Sequence, residues 1–96
     1  MKNFENLIPI ATHTDQFMLK PEDIIRLEAQ SNYTLIYYTG NRRVLTSKVL
    51  KEYVSKLIPH GFLRTHQTHL INPKYIQCIT SDNKVVLTDT SVAAVS

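Results

Sequence analysis

The residues best suited to contact a ligand are concentrated in one stretch of the chain, FLRTHQTHLINPKYI, at residues 62–76. One arginine, two imidazoles and several neutral hydrogen-bonding side chains stand there between apolar residues, and an Asn-Pro pair interrupts the stretch. The apolar residues can hold the segment against a core while the polar side chains point outward, as in recognition loops presented by a rigid scaffold. These apolar residues are Phe62, Leu63, Leu70, Ile71 and Ile76.

Several side chains of this stretch are of the types that bind nucleic acid. Arg64 can form two parallel hydrogen bonds with a guanine edge or a phosphate, and Gln67 can do the same with adenine. Other polar residues here, and two lysines near the start of a predicted helix, are suited to binding phosphates. They are Thr68, His69, Lys74, Lys48 and Lys51.

Three polar residues have a structural explanation beside the functional one. Asn72 precedes Pro73 and is typical of a turn former, and His66 can support the loop through its own hydrogen bonds. Tyr33 lies beside a predicted turn, where packing against a sheet explains it as well as contact with a ligand does. Both interpretations stay open for these residues.

Composition and charge permit a polyanionic partner without requiring one. The 96 residues suffice for one domain, and 11 Lys and Arg against 8 Asp and Glu give a formal net charge of +3. A single cysteine, Cys78, cannot form an internal disulfide, and no apolar stretch is long enough to span a membrane. We expect a reducing, cytoplasmic setting without membrane association, and Cys78 as a small core or strand residue.

Residue spacing disfavours metal binding and catalysis. His66 and His69 would share a face only on a helix, which the nearby Asn72-Pro73 pair disfavours. The sequence also lacks a Gly-rich phosphate loop, a nucleophile elbow and paired acids in one segment. We expect no enzyme activity, no metal and no cofactor. The alternative to nucleic-acid binding is a protein-interaction or sensory β-module that uses the same loop surface.

The elements that must position this stretch are mostly predicted strands. Alternation of apolar and polar residues predicts a half-buried strand at 24–30, and β-branched and aromatic residues predict another at 33–39. Ser31-Asn32 and Gly40-Asn41 are typical turn pairs, so a hairpin is expected. Further short strands are predicted near residues 7–10, 17–19, 42–46, 75–80, 84–88 and 92–95.

One segment has the periodicity of a helix. From residue 48 to residue 58, apolar residues recur at intervals of one, three and four, which predicts a short amphipathic helix. Ser47 stands in the position of an N-cap, and Pro59 and Gly61 are expected to end the helix.

The order of these pieces and one motif resemble the LytTR family of bacterial DNA-binding domains. The motif is an arginine, one residue, a histidine, three residues, an apolar pair and an asparagine. Here those residues are Arg64, His66, Leu70, Ile71 and Asn72. The upstream segment IIRLEAQSNYTLIYY and the helix before the motif extend the resemblance, which runs from about residue 17 to residue 96.

The resemblance implies a mostly β domain of short antiparallel sheets, in an elongated β-sandwich-like form with one short helix. It also implies that loops, rather than a recognition helix, enter the major groove of double-stranded DNA. The base-contacting positions fall on Asn32, Tyr33, Arg64 and Gln67. We assign a second set of residues to phosphate contact or loop support: Lys48, His66, Thr68, His69, Lys74 and Asn72.

The resemblance implies a biological setting as well. Such domains usually form the output half of a two-component response regulator, with a phosphorylatable receiver domain upstream, and pairs of them bind repeated promoter elements. We therefore expect transcription regulation through a phosphorelay, an upstream receiver domain and a homodimer on promoter DNA. Residues 1–10 are expected to be a linker or first strand, residues 11–96 the DNA-binding domain, and the natural chain is expected to continue beyond Ser96.

Binding to DNA also requires a particular distribution of charge on the surface. Cationic side chains should share a face with the base-contacting residues, because a polyanion is attracted by a patch rather than by scattered charges. The cations expected on that face are Arg64, Lys48, Lys51 and one of Arg42 and Arg43.

Overall fold

Ten strands and one α-helix occur in residues 6–95, the part of the chain that the computed structural model describes. The strands form three antiparallel sheets, which confirms the predicted mostly β fold. The helix α1 is Leu50–Leu57, and short 3-10 helices lie at Pro21–Asp23, Ile58–His60 and Pro73–Tyr75. The strands are β1 (Ile8–Ala11), β2 (Gln16–Leu19), β3 (Ile24–Gln30), β4 (Tyr33–Tyr38), β5 (Arg42–Thr46), β6 (Leu63–His66), β7 (His69–Ile71), β8 (Ile76–Ile79), β9 (Lys84–Leu87) and β10 (Val92–Ala94).

The five-stranded sheet at the centre of the fold has the strand order β5-β4-β3-β7-β6. Its β3–β4 hairpin is closed by Ser31 and Asn32, as predicted, and Ser31 has a positive φ of 55°. The β4–β5 turn contains Gly40 and Asn41 with φ of 83° and 57°, so the expected left-handed turn is confirmed. These two turns lie at opposite ends of β4.

Both faces of the central sheet are covered. One face packs against the β1–β2 hairpin and α1, which together form the larger hydrophobic core. The other face packs against the sheet of β8, β9 and β10, where Ile25 and Ile71 meet Val85 and Leu87. The molecule measures 41 × 33 × 24 Å, and the elongated, sandwich-like form is confirmed.

Strand β3 differs from the half-buried strand that its alternating pattern predicts. Ile24, Ile25, Arg26 and Leu27 are all buried, because the second layer of strands covers the face that was assigned to solvent. A β-bulge between Ile24 and Arg26 also shifts the alternation, so that Ile24 and Leu27 belong to the same core. Arg26 is therefore a buried residue rather than a surface residue.

The helix begins two residues later than predicted, and its predicted N-cap is wrong. Val49 occupies the cap position without a side-chain cap hydrogen bond. Ser47 bonds instead to β1, because its N–H and its hydroxyl both donate to the Ala11 carbonyl, at 2.9 and 3.3 Å. The helix continues as a 3-10 turn and ends at Gly61, whose φ is 90°. The short amphipathic helix itself is confirmed.

The candidate stretch at residues 62–76 is a hairpin rather than an open loop. Strands β6 and β7 flank a two-residue turn of Gln67 and Thr68, and a 3-10 helix follows. Leu63 has 49% of its surface exposed, so it is not one of the anchors that the pattern suggested. Cys78 lies on β8 and is exposed, so the strand placement is right and a core position is wrong.

The predicted linker or first strand at residues 1–10 falls partly outside the described residues. Strand β1 begins at Ile8 and continues to Ala11, and Ile8 and Ile10 are buried in the larger core. Ser96 also lies outside the described range. Within residues 6–95, no helix is long and apolar enough to cross a membrane.

Candidate nucleic-acid interface

Four connections meet at one end of the central sheet, which we call the upper end. They are the β1–β2 turn at residues 12–15, the β3–β4 turn at 31–32, the segment 47–48 and the β6–β7 turn at 67–68. The Ala29 N–H donates to the Thr68 carbonyl at 2.8 Å, which joins β3 to the β6–β7 turn. The Thr34 hydroxyl donates to the Lys48 carbonyl at 2.8 Å, which joins β4 to the start of the helix. Residues far apart in sequence thus form one surface.

Arg64 and Gln67 lie together at this end, and both are exposed. The Arg64 Nη2 donates to the Gln67 carbonyl at 2.8 Å, which draws the guanidinium toward the turn. A guanidinium carries five N–H donors, so this bond leaves donors available for a guanine edge or a phosphate. The pair predicted to contact bases is therefore brought together by a direct hydrogen bond.

Asn32 and Tyr33 form the exposed end of the neighbouring hairpin. Tyr33 has 38% of its surface exposed, and its ring contacts the His13 ring edge-on with centroids 5.5 Å apart. The sequence pattern assigns His13 no role in DNA binding. Its place beside Tyr33 depends on the packing of the β1–β2 hairpin against the central sheet, and no local sequence pattern encodes that contact.

Thr68 joins the two histidines of this hairpin, His66 and His69. The Thr68 N–H donates to His66 Nδ1 at 3.2 Å, and the Thr68 hydroxyl lies 2.8 Å from the same nitrogen. The hydroxyl also lies 2.9 Å from His69 Nδ1. These bonds are internal to the turn, so they hold its conformation. Both rings are only partly exposed.

An ion pair between Arg26 and Glu28 lies beneath the 67–68 turn, and the sequence pattern did not predict it. Arg26 Nη1 donates to Glu28 Oε1 at 2.8 Å, and His69 Nε2 lies 3.4 Å from the same oxygen. Arg26 Nε also donates to the Ser91 hydroxyl at 2.9 Å, and its guanidinium lies over the Tyr37 ring at 3.9 Å. The alternating pattern of β3 places Arg26 and Glu28 on a solvent-exposed face. No nearby residue indicates that the sheet of β8, β9 and β10 covers that face.

Burial and charge act in opposite directions on this pair. Burial raises the pKa of the Glu28 carboxyl, but the hydrogen bond and charge of Arg26, with smaller contributions from His69 and Gln30, together outweigh burial and hold that pKa below its ordinary value. Burial lowers the pKa of His69, and the charge of Glu28 offsets only part of this effect. His69 is therefore neutral and Glu28 is ionised near pH 7.

Asn72 and Lys74 lie at the opposite end of β7, which belongs to the lower end of the sheet. Asn72 is 7% exposed, and its amide donates to the Ile24 carbonyl at 3.0 Å. Its Oδ1 accepts from the Lys74 N–H at 3.1 Å, which caps the following 3-10 helix. Asn72 thus makes structural contacts, and the structure places the exposed Lys74 apart from the upper end.

The LytTr DNA-binding domain family matches residues 14–96 of this chain. The chain belongs to the LytTR family. Over 75 residues it is 32% identical to the transcriptional regulatory protein LytR of Staphylococcus aureus, in strains N315 and NCTC 8325 / PS 47. That match covers 78% of this chain and 30% of the relative, so the chain spans less than a third of the length of these regulators.

A solved LytTr DNA-binding domain has the same fold. It comes from a putative methyl-accepting/DNA response regulator of Bacillus cereus and superposes with a TM-score of 0.76 at 18% identity. The alignment covers 95% of this chain and 86% of that one. The resemblance drawn from the motif is therefore confirmed at the level of family and of fold.

Cationic side chains of this LytTR domain are divided between the two ends of the sheet. Lys48 is exposed at the upper end and lines a groove of about 200 Å³ with Lys56, between α1 and the β1–β2 hairpin. Arg42 and Arg43 follow the β4–β5 turn and so lie at the lower end. The expectation that one of them shares the face of Arg64 is wrong, because the length of β4 separates them.

No metal-binding cluster of His, Cys, Asp and Glu occurs within residues 6–95 of the LytTR domain. His66 and His69 are close, with ring centroids 5.9 Å apart, but their planes are at 78° and each ring contacts Thr68. The chemistry that this arrangement supports is hydrogen bonding from exposed side chains on two braced turns.

Proposed function

We propose that this LytTR domain binds double-stranded DNA in a sequence-specific manner and acts as the output domain of a bacterial transcriptional response regulator. The convergence of the turns at 31–32 and 67–68 on the upper end carries the proposal. It places Asn32, Tyr33, Arg64 and Gln67 on one exposed surface. Two neighbouring hairpin ends of this kind can enter a major groove about 12 Å wide.

The proposed roles divide by side chain. Arg64 and Gln67 read base edges, since each can form paired hydrogen bonds. Asn32 and Tyr33 contact a neighbouring part of the site from the adjacent hairpin. Lys48 binds phosphate, because it lies exposed beside these turns without belonging to either of them. Thr68, His66 and His69 support the 67–68 turn, while Asn72 and Lys74 are left out of the interface.

The wider setting is also part of the proposal. Relatives carry the descriptions transcriptional regulatory protein and DNA response regulator, and this chain corresponds to 30% of the length of the former. We infer a receiver domain upstream in the full-length protein and two copies of this domain on repeated promoter elements. Sedimentation of the domain with DNA that carries one or two repeats would report the number of copies bound.

The test is a comparison of two arginines. DNA fragments bound from a random pool give a selected site, and fluorescence anisotropy then measures the affinities for that site and for a scrambled one. Arg64→Ala should weaken binding to the selected site by ~1–3 kcal/mol and binding to scrambled DNA by less. Arg43→Ala removes the same charge from an exposed position at the lower end, and its preference for the selected site should equal that of the wild type.

Salt dependence completes the test. Binding should weaken linearly on a logarithmic scale as salt rises, because phosphate contacts release counterions. Equal losses from Arg64→Ala and Arg43→Ala, or binding that is insensitive to both salt and Arg64→Ala, would contradict the proposed interface.

A further inference from the structure

The β6–β7 turn is held from below by a chain of polar contacts that begins on β3. Glu28 is central to it: Oε1 accepts from Arg26 at 2.8 Å, and Oε2 accepts from the Gln30 amide at 2.6 Å. The arginine is in turn held by the Ser91 hydroxyl at 2.9 Å. A carboxylate bonded on both oxygens has one orientation, and in this orientation it faces His69 Nε2 at 3.4 Å.

The positions of protons in the turn depend on that carboxylate. The Thr68 N–H donates to His66 Nδ1, so that nitrogen carries no proton. The Thr68 hydroxyl has one proton, and it lies within 3 Å of both His66 Nδ1 and His69 Nδ1. Which nitrogen accepts it is decided by the tautomer of the neutral His69 ring, because a nitrogen that already bears a proton cannot accept another.

We propose that Glu28 is a positioning residue for DNA reading, which acts through His69 and Thr68 on the 67–68 turn. Its carboxylate favours a proton on His69 Nε2, which leaves Nδ1 free to accept the Thr68 hydroxyl. This is the arrangement by which a carboxylate fixes the tautomer of a metal-binding or catalytic histidine, applied here to a turn. The inference rests on the proposed function, since it explains how the base-reading surface is held.

The effect reaches the reading residues in two short steps. Thr68 shares a peptide bond with Gln67, and the Gln67 carbonyl accepts the bond from Arg64 Nη2 at 2.8 Å. The Thr68 carbonyl is fixed separately, by the Ala29 N–H at 2.8 Å. Because the carbonyl and the hydroxyl of Thr68 are both hydrogen-bonded, Thr68 holds the adjoining Gln67 peptide in one orientation. Loss of the hydroxyl bond frees the turn without removing any group that contacts DNA in the proposed interface.

The first readout needs no DNA. Nitrogen chemical shifts of the imidazole of His69 report which ring nitrogen bears the proton. The wild type should show the Nε2–H tautomer, and Glu28→Ala should shift the population toward the other tautomer. Glu28→Gln keeps an oxygen acceptor at the same position and should restore the wild-type tautomer. Glu22→Ala removes the same side chain from an exposed position before β3, at the lower end, and should change nothing.

The second readout is discrimination between the selected DNA site and a scrambled one. Glu28→Ala and Thr68→Val should each reduce that ratio about tenfold, the effect of one hydrogen bond. Thr68→Ser keeps the hydroxyl and should stay within about twofold of the wild type, as should Glu28→Gln. If Glu28→Ala fails to fold for lack of a partner for Arg26, the Thr68 pair still tests the hydroxyl step, and the His69 tautomer of the wild type tests the carboxylate step: a proton on Nδ1 would overturn the proposal.

The two proposals fail in different ways. If the wild type shows no preference for any DNA site, the proposed function is wrong, while the tautomer measurement still judges the role of Glu28. If the wild type discriminates and Thr68→Val discriminates equally well, or if Glu28→Ala leaves the His69 tautomer unchanged, the positioning role is overturned.

Discussion

Asn72 belongs to the motif that identifies the family, yet its contacts predict that replacing it will damage the fold and leave DNA reading intact. Asn72→Ala removes the bond to the Ile24 carbonyl at 3.0 Å and the bond from the Lys74 N–H at 3.1 Å. Each bond contributes about 1 kcal/mol, and a buried carbonyl deprived of its donor costs a further ~1–2 kcal/mol. We expect the free energy of unfolding to fall by about 2–4 kcal/mol.

Urea denaturation measures this loss directly. With a slope of ~1.3 kcal/mol per molar, typical of a small domain, the midpoint should fall by about 1.5–3 M. Lys74→Ala is the matched control: its backbone N–H still donates to Asn72, its side chain is exposed, and its change should stay within ~0.5 kcal/mol.

DNA binding by the same variant distinguishes folding from contact. Affinity is measured at 15 °C, where a domain with ~5–15 kcal/mol of stability stays folded after such a loss. Asn72→Ala should then retain the affinity and the salt dependence of the wild type. A loss of affinity with an unchanged urea midpoint would refute this reasoning, because it would make Asn72 a DNA contact in spite of its 7% exposure.

Three further predictions concern other parts of the chain. The folded state lowers the pKa of His69 below 6.5, so the unfolded chain binds more protons at this residue. The free energy of unfolding should therefore decrease as pH falls from 7 to 5. Urea titrations should show a smaller dependence on pH for His69→Gln. Thr90 is a β-branched residue with a φ of 70°, and Thr90→Gly should raise stability by ~0.5–1 kcal/mol in thermal melts, whereas a loss would mean that the turn is unstrained. Lys48→Ala should weaken binding to selected and scrambled DNA alike and reduce the salt slope by about one; a change in discrimination would contradict its role as a phosphate contact.

Local patterning was sufficient for most of the fold. The turns at Ser31-Asn32 and Gly40-Asn41 follow from residues that tolerate positive φ, and the amphipathic helix follows from its period. The Ser47 cap failed because Ser47 had a competing partner, the Ala11 carbonyl, 36 residues away. A local rule cannot weigh a partner that only the folded chain supplies.

The candidate site was predictable in its residue types but not in its supports. Arg64 and Gln67 are conspicuous because their chemistry suits base edges. Arg26 and Glu28 look like ordinary surface charges on an alternating strand. Arg26 becomes buried, and Glu28 partly covered, only when the sheet that begins at Ile76 packs on that face. The burial of Arg26, and the contact with Arg26 that lowers the pKa of Glu28, are properties of the tertiary fold.

A protein that reads DNA with turns must solve a problem that a recognition helix does not have. A helix holds its side chains through its own backbone hydrogen bonds, whereas a two-residue turn has few. The turn at 67–68 is instead held by contacts from Ala29, from the paired imidazoles and, through His69, from Glu28. Since Glu28 is tied to Ser91 through Arg26, a change that loosens the third sheet should also reduce DNA discrimination. Ser91→Ala tests that consequence, because Ser91 belongs to neither the 67–68 turn nor the proposed DNA surface. A smaller ratio of affinities for selected and scrambled DNA supports the coupling. An unchanged ratio limits the support of the turn to Glu28 and its immediate neighbours.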